Sequence, residues 1–283
     1  MNSQNIPVRD DSYQEVRRLF VAPPGMWFVK ADYNQLELRV LAESSGDPWL
    51  VNAYKTGLDI HTEAANDVEQ VLSVYRGVSY DTWMAWDDKD KRYFGKNKVN
   101  FPRVYGVAPP KMVEMANKAG LPLTLKEAHD ILMLTDAKSP RVEQHRRERH
   151  AYIKQSGEER TLYDRRRLFP ALKELDHYER EAALREGFNH RIQGTAADLF
   201  KVAWVALEAS GLLDATHRVV NTVHDEFDAY CPIGDYRWLA LVKEVLESAS
   251  RFKPFDGWPV RQWDTPLLVE ITHGPNWVDQ HDA

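Results

Sequence analysis

Residues 222–227 read Thr222-Val223-His224-Asp225-Glu226-Phe227, and the fold turns on how they are read. Two adjacent carboxylates, Asp225 and Glu226, stand between runs of β-formers. Arg218-Val219-Val220-Asn221-Thr222-Val223 precedes them and Phe227-Asp228-Ala229-Tyr230 follows. Such runs on either side of a polar tip predict a β-hairpin. The like charges at the tip repel each other, and a divalent cation is the simplest counter-charge. Alone, a His-Asp-Glu tripeptide reads more readily as a solvated acidic turn. A second acidic strand end, far upstream, changes that. Met26-Trp27-Phe28-Val29-Lys30-Ala31 predicts a buried strand ending at Asp32. Leu36, Val40 and Leu41 then recur at helical spacing, so Asp32 lies where a strand gives way to a helix.

Outward from these two ends the chain is mostly helical. Gly46-Asp47-Pro48 closes one helix and opens the next, and Asp59-Ile60-His61-Thr62 opens another with Thr62 as candidate cap. A helix is expected from Asp90 to about Asn100, ended or kinked by Pro102. Thr124-Leu125-Lys126-Glu127 fits a capping box. Residues 161–170 read as a short irregular or β-like piece. Two helices are expected at about 176–187 and 191–210, the second ended by Gly211. After the acidic hairpin come a helix over Tyr236–Ser250 and a strand over Leu267–Ile271. The order is strand, many helices, hairpin, helix, strand. It predicts an α+β fold, with a small antiparallel sheet flanked by helices and a long, mostly helical insertion over residues 51–165.

The bulk numbers set bounds. The chain has 283 residues, 43% hydrophobic and 28% charged, which fits a globular protein. No run of about 18 apolar residues exists to span a membrane, and the polar N-terminus carries no signal-peptide pattern. One cysteine, Cys231, excludes an internal disulfide and a Cys-rich zinc site and fits a reducing cytosol. The net charge of −6 argues against wholesale coating of nucleic acid. Residues 141–167 nevertheless hold nine Arg and Lys, namely Arg141, Arg146, Arg147, Arg149, Lys154, Arg160, Arg165, Arg166 and Arg167. This stripe is a candidate for holding phosphates locally.

Two carboxylates gathered from distant segments are what two-metal catalysis requires, with ions about 4 Å apart. Each Mg²⁺ takes one or two carboxylates plus substrate phosphates, so Asp32 and Asp225 suffice. Here the chain resembles the family A, or DNA polymerase I-like, DNA polymerases. Asp32-Tyr33-Asn34-Gln35-Leu36-Glu37-Leu38-Arg39 is similar to their first polymerase motif, and Thr222 to Glu226 to their third. Gln193-Gly194-Thr195-Ala196-Ala197-Asp198 resembles the palm helix between them. Asn5-Ile6-Pro7-Val8-Arg9 resembles the opening palm segment and Asp59 to Thr62 the fingers. Thr161-Leu162 with Arg165-Arg166-Arg167 through Pro170, and Gly274-Pro275-Asn276-Trp277 to His281, are also family-like. These stretches cover essentially the whole chain, in order.

The resemblance implies a template-directed DNA polymerase using two Mg²⁺ ions, with primer-template DNA and dNTPs as partners. It implies catalytic residues Asp32, Asp225 and Glu226, with Asp32 and Asp225 as metal ligands and Glu226 an auxiliary. It places Gln35, Glu37, His61, Arg92, Lys96, Phe101 and Tyr105 at the dNTP, Glu37 beneath the incoming sugar. Arg9, Arg185, Asn189, Gln193 and His224 would meet DNA. Steps of four put Arg185, Asn189 and Gln193 on one helical face. Minor-groove acceptors are common to all base pairs, so contacts there check shape without reading sequence. Residue by residue, Arg185 also reads as an ion-pair partner of Glu181, Asn189 as a cap, His61 as a core histidine, and Glu37 as a partner of Arg39.

The second polymerase motif departs from the pattern. The family spaces an arginine, a lysine and an aromatic at intervals of four. Here Arg92 and Lys96 keep the first interval, but Phe101 comes five after Lys96, with Tyr105-Gly106 following at the expected distance. One extra residue turns an α-helix by about 100°. Counted back from Phe101, the cation positions fall on Asn97 and Tyr93; a bulge between Lys96 and Phe101 would restore the alignment, with Lys98 as a further cation.

The resemblance also implies palm over residues 1–50 and 166–283 and fingers over 51–165. It begins at the first palm segment, so the thumb and exonuclease domains of the family are expected on a separate polypeptide, as in a phage-type split polymerase in a bacterial or phage-infected cytosol. Two other readings compete: a non-catalytic DNA-binding subunit derived from a polymerase, and a related single-subunit RNA polymerase. Glu37 and Glu226 favour deoxynucleotides.

Overall fold

The computed structural model describes residue 6, residues 11–77 and residues 80–283. In chain order its elements are α1 (Asp11–Arg18), β1 (Met26–Tyr33), α2 (Leu36–Ser45), α3 (Pro48–Thr56), α4 (Ile60–Arg76), α5 (Asp81–Met84) and α6 (Asp88–Phe94). A π-helical turn (Gly95–Asn100) leads into α7 (Phe101–Val104), α8 (Pro109–Lys118), α9 (Leu125–Lys138) and α10 (Pro140–Ser156). Then come β2 (Glu158–Arg160), β3 (Arg166–Leu168), α11 (His177–Ala209), β4 (Arg218–Val223), β5 (Glu226–Pro232), α12 (Tyr236–Glu247), a 3₁₀ turn (Ala249–Arg251), β6 (Val269–Gly274) and β7 (His281–Asp282). The fold is α+β with a small antiparallel sheet. No described helix is long and apolar enough to cross a membrane. The chain divides into two units, one of residues 1–40, 161–164 and 193–283, the other of 41–160 and 165–192.

The first unit is built on a five-stranded sheet in the order β4-β5-β1-β6-β7. Its pairings are antiparallel. Opposed residues share a face, and strand residues two apart share it too. The registers Lys30↔Asp228, Asp32↔Glu226 and Asp32↔Glu270 therefore put Lys30, Asp32, Glu226, Asp228 and Glu270 on one face. The other face is apolar. There Phe227 stacks on Phe200 of α11 with ring centroids 4.1 Å apart and lies 5.5 Å from Trp204. Burying Phe227, 2% exposed, contributes about 2–3 kcal/mol and fixes which face the hairpin turns inward. The Tyr33 hydroxyl, on that side, donates to the Leu246 carbonyl of α12 at 2.7 Å. The first strand runs two residues past Ala31, to Tyr33, and β6, the strand expected over Leu267–Ile271, begins at Val269 and runs to Gly274.

The second unit is helical. Its core gathers Val68 and Leu72 of α4, Trp83 of α5, Phe94, Val99, Met112 and Ile131. Caps set the boundaries. Asp47 accepts from Leu50 N–H with Pro48 in the first turn of α3, and Thr124 and Glu127 close the expected capping box of α9. Asp59, not Thr62, caps α4: its carboxylate accepts from His61 N–H at 3.0 Å, while the Thr62 hydroxyl donates to the same carboxylate. Glycine is required at 95, where a Cβ would fall 2.2 Å from the His61 carbonyl oxygen.

Two expectations are corrected. The break expected near residues 188–190 does not occur, and α11 is one helix of 33 residues. Neither Gly187 nor Asn189 interrupts it. Gly187 faces Ile153, which a Cβ would meet at 2.5 Å, so glycine there serves close packing and not a turn. Pro102 does not end the helix before it either. Phe101 stays helical (φ −61, ψ −49), because the preceding turn is π and is wider than an α turn.

Candidate functional site

The sheet unit places Asp32 at the end of β1 and Asp225 in the turn between β4 and β5. Val223 pairs with Glu226, leaving only His224 and Asp225 to make the turn. A two-residue hairpin demands left-handed backbone, and His224 adopts it at φ +57. Gln35, just before α2, does the same at φ +55, its carbonyl accepting the Leu38 and Arg39 N–H groups. Left-handed backbone costs a non-glycine residue about 1 kcal/mol, and two of these expected site residues carry it. The Tyr33 N–H donates to the Asp225 carbonyl at 3.3 Å, tying the hairpin tip to the end of β1.

The carboxyls on this face act on one another. Burial, then the charges of Asp225 and Glu226, raise Asp32 to about 7, against which Lys30 works. Burial raises Asp225 as well, assisted by Glu37 and Glu226. Glu37 is thus brought to Asp225 by the first turn of α2. The Arg39 guanidinium is buried and donates to Asn34 and to the Pro266 carbonyl. Glu226 is engaged differently. Trp277 Nε1–H donates to it at 3.0 Å, and Lys30 Nζ stands 3.3 Å away. Among the described residues no three His, Cys, Asp or Glu side chains converge as a closed metal cage. A hard cation that keeps water and phosphate oxygens in its shell needs no cage, only one or two such carboxylates.

In the helical unit a π turn lies between Lys96 and Phe101. The Phe101 N–H donates to the Lys96 carbonyl, an i→i+5 bond. A π turn relates residues five apart as an α turn relates residues four apart. The extra residue is absorbed there, and Lys96 Nζ lies over the Phe101 ring, 5.8 Å from its centroid. Arg92, on the same helical run, is paired with Asp59, the residue that caps α4. His61 joins them from α4, its ring 6.0 Å from that of Phe101. It is fully enclosed and not presented to solvent. Asn100 Nδ2 stands 3.1 Å from its Nδ1, and burial, then Arg92 and Lys96, lower it to about 4. Tyr105 follows at the end of α7, half-buried.

Arg185, Asn189 and Gln193 all lie on α11, Arg185 and Gln193 exposed and Asn189 half-buried. Glu181, the expected ion-pair partner of Arg185, stands 3.8 Å from Lys154. Arg9 falls outside the described residues. The basic stripe is not a free phosphate cradle. Arg141 faces Glu148, Arg146 and Arg147 share Glu143, Arg149 pairs with Glu159, Arg160 and Arg166 share Glu158, and Arg167 meets Glu186. Acidic residues interleaved along the same segments, with Glu186 of α11, pair with most of its arginines, and an excess of positive charge remains.

Comparison with known proteins bears directly on this arrangement. The family model described as DNA polymerase family A matches residues 1–279. The chain belongs to DNA polymerase family A. Its family A relatives include DNA polymerase I of Deinococcus radiodurans, 34% identical over 280 residues, and that of Chloroflexus aurantiacus, 36% over 281. The thermostable DNA polymerase I of Thermus aquaticus is 34% identical over 285. Each alignment takes in 98% of this chain but only 26–30% of the relative, so the chain spans little more than a quarter of their length. A solved structure of the same kind, the POL domain of Pol1 from M. smegmatis in complex with DNA primer-template and dNTP, superposes with a TM-score of 0.76 at 27% identity. It takes in 99% of this chain and 45% of that one.

Four residues around the family A carboxylates went unread in the sequence: Lys30, Asp228, Asn221 and Trp277. A period-two reading finds the first two, since Lys30 lies two before Asp32 and Asp228 two after Glu226. Trp277 has no local signal, because only the pairing of distant strands brings it to Glu226.

Proposed function

We propose that the chain is a template-directed DNA polymerase that joins the α-phosphate of a dNTP to a primer 3′-hydroxyl and releases pyrophosphate. The observation that carries the reading is that Asp32 and Asp225 stand at adjoining ends of one small sheet, tied by the Tyr33 N–H to the Asp225 carbonyl, with the Asp225 charge helping to raise Asp32. Carboxyls crowded until one is raised to about 7 suit a divalent cation, whose binding would hold both ionised. When bound by Asp32 and Asp225, two Mg²⁺ ions supply charge neutralisation at the transferred phosphate and an activated primer oxygen.

The chain's own residues do the rest. Residues 1–50 and 166–283, which carry the five-stranded sheet, are the palm, and residues 51–165 the fingers. His224, fixed in its turn, meets the primer end, while Gln35 and Glu37 meet the incoming nucleotide, with Glu37 beneath the sugar. Arg92 and Lys96 take the triphosphate and Phe101 the base, with Tyr105 behind it. His61, being enclosed and neutral, supports the π turn through Asn100 in place of a phosphate contact. Arg185, Asn189, Gln193 and Arg9 line the DNA. A cytosolic setting follows from this substrate set.

Primer extension on a defined template tests the proposal. Each template base should select its complementary dNTP, with dNTPs preferred over rNTPs, in the presence of Mg²⁺. Asp225→Ala should abolish incorporation. Incorporation by that variant at the wild-type rate would remove the metal assignment. DNA binding without any incorporation by the wild type would leave a non-catalytic subunit.

A further inference from the structure

On the acidic sheet face lies a carboxyl that the proposed chemistry does not use. Asp228 is 0% exposed. It stands two residues after Glu226 on β5, opposite Lys30 of β1 and Asn221 of β4. Asn221 Nδ2 donates to its Oδ2 at 2.8 Å, while its Oδ1 meets no protein donor. A buried carboxylate oxygen without a donor is costly. The group beside it is another carboxyl: Glu226 lies two residues back on β5, on the same face of the sheet. Two ionised carboxylates have no donor between them, so one brings a proton. Asp228 is the more buried of the two, Glu226 keeping 13% of its side chain exposed, and the proton belongs on the more buried group. Burial, then the charge of Glu226, raises Asp228 to about 8.

Glu226 has two further partners, both rigid. Trp277 Nε1–H donates to its Oε1 at 3.0 Å and Lys30 Nζ stands 3.3 Å from its Oε2. Trp277 is 1% exposed, held by its own N–H to the Phe20 carbonyl, with the Arg17 guanidinium 4.2 Å over its ring. Three donors on two oxygens leave little capacity for a cation.

We propose that Asp228 is a positioning residue: it donates a hydrogen bond to Glu226 and, with Lys30 and Trp277, pins the Glu226 carboxylate to the sheet, where its charge acts on Asp32 and Asp225 without ligating metal. This rests on the reading of Asp32 and Asp225 as the metal-holding pair. Asp228→Asn keeps the shape, the acceptor for Asn221 and a donor for Glu226; Asp228→Val removes donor and acceptor.

The test has an arm that needs no metal, DNA or nucleotide. The Trp277 indole N–H, assigned in a ¹⁵N spectrum by its loss in Trp277→Phe, should hold its position in Asp228→Asn and move upfield in Asp228→Val. Metal-free carboxyl ¹³C spectra at pH 7 should show, beside the half-titrated Asp32, an aspartic carbon at the protonated position that is lost in Asp228→Asn and kept in Asp32→Asn. In primer extension, Asp228→Val should lower kcat about tenfold with KM for dNTP within about twofold, Asp228→Asn should match wild type, and Glu226→Gln/Asp228→Val should be no worse than Glu226→Gln alone. An unmoved Trp277 signal in Asp228→Val, no protonated aspartic carbon that depends on Asp228, or multiplying effects in the double variant would each overturn the proposal. The spectra decide it even where primer extension fails and the functional reading falls.

Discussion

At the scale of single residues, buried histidines give the helical unit a pH dependence. His61 is held neutral at about 4 and His145 at about 3, the latter by burial, then by Arg191, Arg149 and Arg141, with its Nε2 2.9 Å from the Ser44 hydroxyl. Below the ordinary value of 6.5 the unfolded chain takes up protons that the folded chain refuses. The stabilisation is therefore complete above pH 6.5 and is lost as the pH falls toward 4. Each histidine accounts for about 2 kcal/mol between pH 7 and 5. Denaturant titrations at the two pH values should show, for His61→Gln and for His145→Gln, a stability change from pH 7 to 5 about 2 kcal/mol more favourable than that of the wild type, the raised Asp32 and Asp228 carboxyls acting in the opposite direction in all three proteins. The residue scale is also where the sequence was least complete. Asp32 and Asp225 stand out because each ends a β-rich run. Asp228 hides because it sits inside one, and only the registers of β4, β5 and β1 reveal that it is buried against Glu226.

Among the elements, the π turn at Gly95–Asn100 carries the most. A count along the chain left two registers open for the second motif, since a spacing of five breaks an α face. An i→i+5 turn favours the register that pairs Lys96 with Phe101, and it also accommodates Pro102. Deleting Asn97 should convert the turn to α and leave the spacing at four. The deletion variant is predicted to keep KM for dNTP within about fivefold, whereas one alanine inserted after Asn97 should raise it tenfold or more. Steady-state kinetics on the two variants read this directly. The hairpin and the capping box were legible because their signals are local. The continuity of α11 was not: Gly187 reads as a helix stop in one dimension and as a packing contact with Ile153 in three.

Over the whole molecule, charge and architecture set the terms of DNA binding. The net charge is −6, and the arginines of residues 141–167 are largely met by glutamates on the same segments. Much of the positive charge is thus spent within the protein, and the excess of four over residues 141–167 sets the counterions displaced, so primer-template affinity should fall with log[salt] at a slope of about −3 to −4, measurable by fluorescence anisotropy. The α+β class followed from element order alone. The junction between the two units did not, because α2 and α11 run through it unbroken and only packing marks it. The central claim is that Asp32 and Asp225 together hold the metal ions of nucleotidyl transfer. Single-turnover incorporation of one dNTP, with each variant first shown to be folded, tests it most directly. Asp32→Asn and Asp225→Asn should each lose about a thousandfold or more, and Glu226→Gln far less. Incorporation by either aspartate variant within about tenfold of wild type would contradict the account.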